Sequence, residues 1–261
     1  MYKYLFKFDK MSQKESSNPN NLTKKERQVI RKKGFILDAA KKLFSEKIFE
    51  SITMEEIADL AALSRATLYN YFNTKEEIYF NIGLTRIEQW IEEAQSVNLS
   101  DYNGKEIVLF LTENLVGGIL EFPHYSKLLR RFFDRSHELG IPIEEIFYDS
   151  IAKIKNIKEK QEFEEQYLIF FDLLESYIKY RQIWQDAIKK GIKDDSIVSK
   201  ADPIHLNFII IMLVLGFLDQ VDFRRSLMEI VDIRNEDIKD FLLTLVKKVL
   251  EGDFQPNESN L

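Results

Sequence analysis

The segment Ile52 to Tyr79, ITMEEIADLAALSRATLYNYFNTKEEIY, restricts this chain more than any other part, because it holds three helix starts in close succession. Thr53 is an N-cap residue and Glu56 lies three positions on, the spacing at which each side chain satisfies the other's backbone N–H. Ile57, Ala58 and Ala61 follow as apolar positions, so a helix begins there. Ser64 is a second N-cap after Leu63. Leu68 and Phe72 then recur four apart on one face, while Arg65, Thr67, Asn70 and Tyr71 fill the remaining arc. Thr74 opens a third helix, with Glu77 three residues behind it and Lys75 in its first turn. Two short helices around a tight turn followed by a third capped helix form the pattern of a helix-turn-helix, whose second helix enters the major groove of DNA.

The pattern continues upstream through IRKKGFILDAAKKLFSEKIFESIT, and over residues 24 to 80 the chain resembles the TetR family of bacterial transcriptional regulators. The resemblance implies an all-α fold, with an N-terminal three-helix head joined to a larger helical domain for ligand binding and dimerisation. It also implies that Thr53, Ser64, Thr67, Tyr69, Tyr71 and Lys75 touch the DNA backbone or groove, and that Arg65 and Asn70 read bases. Their chemistry suits those roles, since Arg pairs two ways with guanine and Asn two ways with adenine, while Thr, Tyr and Lys hold phosphates. Tyr69 has the alternative of packing within the head. Ile48, Ala62 and Ala66 stand where the family usually has glycine. Alanine is favoured inside a helix, which suits Ala66. Ile48 and Ala62 are costly wherever the backbone needs positive φ.

The formal charge of −6 is unevenly distributed: residues 1–80 carry 15 Lys+Arg against 11 Asp+Glu, a net of +4, and residues 81–261 carry 22 against 32, a net of −10. The basic part contains the helix-turn-helix, and Lys24, Lys25, Arg27, Arg31, Lys32 and Lys33 cluster at the start of its first helix, where they are expected to contact phosphates. No cysteine is present, which excludes disulfides and thiolate chemistry and agrees with a reducing cytosol. The N-terminus MYKYLFKFDKM intersperses lysines among aromatics and lacks a continuous apolar core, so it does not read as a secretory signal. The longest apolar run, Phe208 to Leu218, stops short of the roughly 20 residues of a membrane span and reads as a buried helix. A cytoplasmic protein without a membrane partner is expected.

Residues 1–23 are expected to be a disordered tail, polar over SQKESSNPNN, with Met1 or Met11 as the start. Residues 24–80 form the DNA-binding domain, 81–252 the helical effector-binding and dimerisation domain, and 253–261 a flexible tail. Within the head, a helix over Lys24 to Glu46 buries Ile36, Ala39, Ala40, Leu43 and Phe44 at helical spacing. A helix from Thr74 to about Val97 joins head to body. Apolar periodicity predicts further helices over Lys105 to Glu121, Tyr125 to Leu139, Ile143 to Lys158, Glu162 to Lys190, Pro203 to Gln220 and Glu236 to Leu250. The Pro203 helix is apolar nearly all round and needs cover on both sides, from one monomer's core or from a second subunit. The family resemblance favours the subunit, because a protein that reads paired half-sites has a two-fold axis.

No enzyme is expected. His124, His137 and His205 are scattered, Asp134 and His137 form a single carboxylate-x-x-His step where a di-iron bundle needs two, and no glycine-rich phosphate loop or HExxH occurs. Neither cofactor nor metal is expected. The body is rich in aromatics, and Phe110, Asn114, Phe133, Phe147, Phe171, Tyr177 and Trp184 are the candidates for lining an apolar effector cavity. The expected function is a repressor that binds a pseudo-palindromic double-stranded DNA operator as a homodimer and releases it on binding a small apolar or amphipathic effector. A DNA-binding protein with a solid body and no ligand switch, and a helical enzyme or carrier, are the alternatives.

Overall fold

The computed structural model describes residues 23–96, 99–122, 125–141, 168–199 and 201–252, and every regular element among them is helical. The expected helix Ile143 to Lys158 with Phe147, the residue His124, and residues 1–22 and 253–261 lie outside the described residues.

Helix α1, Lys24–Glu46, starts at a capping box: Thr23 Oγ1 accepts from Glu26 N at 3.2 Å, and Thr23 N donates to the Glu26 carboxylate at 2.8 Å. It buries the five expected residues Ile36, Ala39, Ala40, Leu43 and Phe44. A 3-10 turn over Phe49–Ser51, which periodicity does not reveal, leads to α2, Met54–Leu60, and then α3, Arg65–Tyr69. Ile57, Leu68 and Phe72 close the head core against α1, each essentially without exposure. Burial of each such side chain contributes about 1.5–3 kcal/mol. Phe44, Phe49 and Tyr79 stack into a ring cluster with centroids 4.8 to 5.5 Å apart.

The two suspect non-glycine positions behave differently. Ala62 lies in the turn between α2 and α3 at φ 53°, so its Cβ sits in the left-handed region. Ile48 has φ −68° in extended backbone and carries no such strain.

Helix α4, Lys75–Ser96, starts in the head with Ile78, Tyr79 and Phe80 and continues into the body with Ile82, Ile87 and Trp90, all buried. Packed on it are α5, Gly104–Glu121, α6, Tyr125–Glu138, and the long α7, Leu168–Lys193. The start of α5 is capped from far along the chain: Gly104 N donates to Asp194 Oδ2 at 2.9 Å and Lys105 N to Ser196 Oγ at 3.0 Å. That approach needs glycine, because a Cβ on Gly104 would overlap the backbone of Gly191.

Helix α8, Pro203–Phe223, packs on the body along one side. Leu206, Ile210, Val214, Leu218 and Val221 are buried against α5, α6, α7 and α10, but Phe208, Ile209 and Met212 on the opposite side are 55 %, 46 % and 54 % exposed. The helix is therefore buried on one face only. Its apolar stretch is also longer than the run Phe208 to Leu218, since Pro203–Val221 has a mean hydropathy of 1.9 and by length and composition alone could cross a bilayer. The short helix α9, Arg225–Ile230, follows, and α10, Asn235–Leu250, buries Ile238, Leu242, Val246 and Leu250 and leaves Phe241 beside Phe217 with ring centroids 5.3 Å apart.

Candidate nucleic-acid interface

Helices α2 and α3 are held by few groups. Thr53 caps α2, accepting from Glu56 N at 3.2 Å while its own N–H donates to Glu56 at 2.8 Å. Lys47 donates to the same carboxylate at 2.6 Å, and these contacts, the Lys47 hydrogen bond first, hold Glu56 down to about 2. Ser64 caps α3, accepting from Thr67 N at 3.1 Å, and the two hydroxyls lie 2.8 Å apart. Leu68 anchors α3 inward with no exposure, which turns Arg65, Ala66, Tyr69 and Asn70 outward on one side. Tyr69 is exposed rather than packed in the head, with the Arg65 guanidinium over its ring at 5.6 Å. Asn70 caps the C-terminus of α3, where its N–H donates to the Thr67 carbonyl at 3.2 Å. Tyr71 is half-buried against the core.

Two site residues have partners that sequence spacing did not reveal. Arg65 forms an ion pair with Glu55 on α2. The Lys75 ammonium donates to the carbonyls of Phe49 at 2.8 Å, Glu50 at 3.0 Å and Ile52 at 2.8 Å and lies 4.7 Å from the Phe49 ring centroid. An ammonium has three donors, so this geometry makes Lys75 a staple on the 3-10 turn and leaves it no N–H for a phosphate. Burial lowers the Lys75 pKa, with Glu50 opposing the shift. Five of the six basic residues at the start of α1, Lys24, Lys25, Arg27, Arg31 and Lys32, are exposed. Lys33 is half-buried over the Phe72 ring at 5.3 Å, and burial lowers its pKa.

Head and body meet through ions. From α6, Arg131 donates to Glu76 at 2.8 Å and to Glu50 at 3.2 Å, Arg135 closes on the other oxygen of Glu76, and the Arg131 guanidinium lies 3.9 Å from the Phe49 ring centroid. Beside this latch a charged surface cleft of about 740 Å³ opens between the end of α1 and α6.

The body does not gather the expected effector residues into one place. Tyr177 and Trp184 line a small internal cavity of about 30 Å³ between α4, α5, α6, α7 and α8. Phe110 faces an open groove between α5 and α10 instead. Phe171 is buried against Phe170, and Phe133 packs on Phe132. Asn114 uses its backbone carbonyl to accept from Trp90 Nε1 at 3.1 Å. Tyr180, Arg181 and Asn207 line the cavity unforeseen. The signal for the first two was their place between Tyr177 and Trp184 on one helical face. For Asn207 it was a lone amide at the edge of an apolar run.

A short capped helix presenting Arg, Tyr and Asn beside a basic first helix defines a helix-turn-helix DNA-binding domain. Residues 36–82 match the family model described as bacterial regulatory proteins, tetR family. Over 114 residues the chain is 31% identical to the HTH-type transcriptional regulator YhgD of Bacillus subtilis, covering 42% of this chain and 56% of that one. It is 37% identical over 68 residues to the HTH-type transcriptional regulator RutR of Escherichia coli, covering 26% of this chain and 32% of that one. The matches thus span about half or less of these relatives. The fold extends further: the structure of the fatty acid degradation regulator FadR from Bacillus halodurans superposes with a TM-score of 0.57 at 15% identity, over 86% of this chain and 96% of that one.

Proposed function

We propose that the protein is a homodimeric transcriptional repressor acting in the cytoplasm. Residues 24–80 bind a pseudo-palindromic double-stranded operator, and residues 81–252 release it when a small apolar or amphipathic effector enters the body. The observation that carries the DNA reading is the exposed set Arg65, Ala66, Tyr69 and Asn70 on a helix anchored by Leu68. Arg65 leaves its exposed partner Glu55 to read a base, at small cost because such pairs contribute about 0–1 kcal/mol. Asn70 reads a second base, while Thr53, Ser64, Thr67 and Tyr69 set the register on phosphates and groove. The exposed apolar side of α8, with Phe241 of α10, supports a subunit interface. The latch from Glu76 to Arg131 and Arg135 supports transmission, because α6 both grips the head and, through Leu129, lines the internal cavity.

Sedimentation of the free protein and footprinting on DNA upstream of its own gene test this reading. A dimer protecting two half-sites with centres roughly 34–36 Å apart, or a multiple of that, is expected. A monomer at micromolar concentration with no footprint refutes it. The small volume of the internal cavity favours a second reading, a regulator whose body is solid and takes no effector. Under that reading no compound raises the thermal stability of the protein.

A further inference from the structure

The internal cavity is small, but its polar lining is almost all of one kind. Trp184 has no exposure and Asn207 is 4 % exposed, and neither Trp184 Nε1 nor Asn207 Nδ2 meets an acceptor within the described chain. The hydroxyl of Tyr180, itself 5 % exposed, approaches Trp184 Nε1 outside hydrogen-bonding geometry. Burial pushes this phenol well up, so it stays protonated and able to donate. Tyr177 is likewise pushed up to about 12 by burial, with Arg181 opposing the shift. The Arg181 guanidinium brings a positive charge to the same wall, and among the described residues no carboxylate lines the cavity. Glu93 and Arg86 act on Tyr180 from α4 with opposite signs. The rings pack on one another, Trp90 stacking on Tyr180 at 5.5 Å and Trp184 meeting it edge-on at 6.2 Å.

Buried donors without acceptors cost free energy, and a set of them converging on one space selects its occupant. We propose that this cavity is the polar end of the effector site and takes the carboxylate of a hydrophobic organic acid, an inference that rests on the effector reading above and narrows its chemistry. A carboxylate offers about four acceptor sites and no donor, which complements the indole, amide and phenol donors and the guanidinium charge. An alcohol offers fewer acceptors and adds a donor of its own, and an ammonium leaves the indole and amide donors unmet and brings a like charge to Arg181. The volume of about 30 Å³ holds two or three oxygen-sized groups, since one such group needs roughly 10–15 Å³. The apolar skeleton then lies along the aliphatic wall and displaces Leu129 of α6 or Ile211 and Leu215 of α8. Displacement of α6 at Leu129 reaches Arg131, which grips the head two residues later.

The chain has two tryptophans, and both line this cavity, so intrinsic fluorescence of the full-length protein reports on it directly. The probes are matched acid, alcohol and amine on a decyl and on a phenylbutyl skeleton, below their aggregation concentrations. At least one acid should shift the emission saturably and bind about tenfold or more tighter than its alcohol, with its amine weaker still. Arg181→Gln, Asn207→Leu and Trp184→Phe, the last keeping an aromatic ring, should each bring the acid's affinity towards that of its alcohol while the alcohol's affinity stays within about twofold. A general packing lesion would move both. Equal affinities for acid, alcohol and amine, or no saturable response to either acid, overturn the proposal. Operator affinity measured alongside separates it from the effector reading. An acid that binds here and leaves DNA affinity unchanged refutes release by an effector and leaves the site standing. Release driven equally well by the neutral alcohol refutes the acid site and leaves release standing.

Discussion

Lys75→Met should destabilise the protein before it affects DNA, a consequence of the three carbonyls that its ammonium holds. Hydrogen bonds to a charged donor are worth about 1.5–3 kcal/mol each, but the three are not equal here. The Glu50 carbonyl is exposed and water replaces the lost donor, whereas the bonds to Phe49 and Ile52 are partly buried. Two such bonds, less the desolvation that already lowers the lysine's pKa, leave a net cost of about 2–3 kcal/mol. For a chain of this size that is a fall of about 4–12 °C in Tm, read by thermal or urea unfolding followed by circular dichroism. DNA affinity should fall only as far as the 3-10 turn loosens, and the salt slope should stay as in the wild type, because no phosphate contact is lost. A variant with unchanged Tm whose salt slope drops by about one would show that Lys75 holds a phosphate and that the staple has no energetic weight.

Ala62→Gly should stabilise the protein by about 0.5–1 kcal/mol, because φ 53° costs a Cβ and not a glycine; a loss of stability on urea titration would contradict that origin. Glu56 is depressed from 4.5 to about 2 in the fold, so its contribution is complete above the unfolded value and is lost as pH falls from about 4.5 towards 2. Glu56→Gln should therefore flatten the acid limb of the stability profile over that window, and an unchanged limb would assign acid unfolding to other carboxylates. Glu76→Gln and Arg131→Ala, combined in a double-mutant cycle, should show a coupling energy of about 1 kcal/mol or more, since both oxygens of a largely buried Glu76 are gripped from α6. Additive costs would mean that the latch carries no energy between head and body. Arg65→Ala should cost about 1–3 kcal/mol on operator DNA and relax preference at one position, while an equal loss on every sequence would move Arg65 from base to backbone.

Local chemistry made the head legible in the sequence. The capping box at Thr53, the cap at Ser64 and the inward spacing of Ile36, Ala40, Leu43 and Leu68 are interactions within a few residues, and all appear where spacing placed them. The ends of α1, α4, α5 and α8 fell within a few residues of expectation for the same reason. What spacing did not show was whatever needed distant residues to meet. Lys75 reads as a phosphate ligand until Phe49 and Ile52, more than twenty positions earlier, bring their carbonyls to it. An aromatic-rich body suggests one pocket, yet Phe110 faces an open groove, Phe133 and Phe171 flank the stacked pair Phe132 and Phe170, and Tyr177 and Trp184 meet at the small cavity. A residue's type states which contacts would satisfy it, and helical spacing states which neighbours share its face. Which face of α8 is covered, which helix supplies Asn207 to Trp184, and which arginines reach Glu76 depend on packing across the whole chain, and tertiary structure alone decided them.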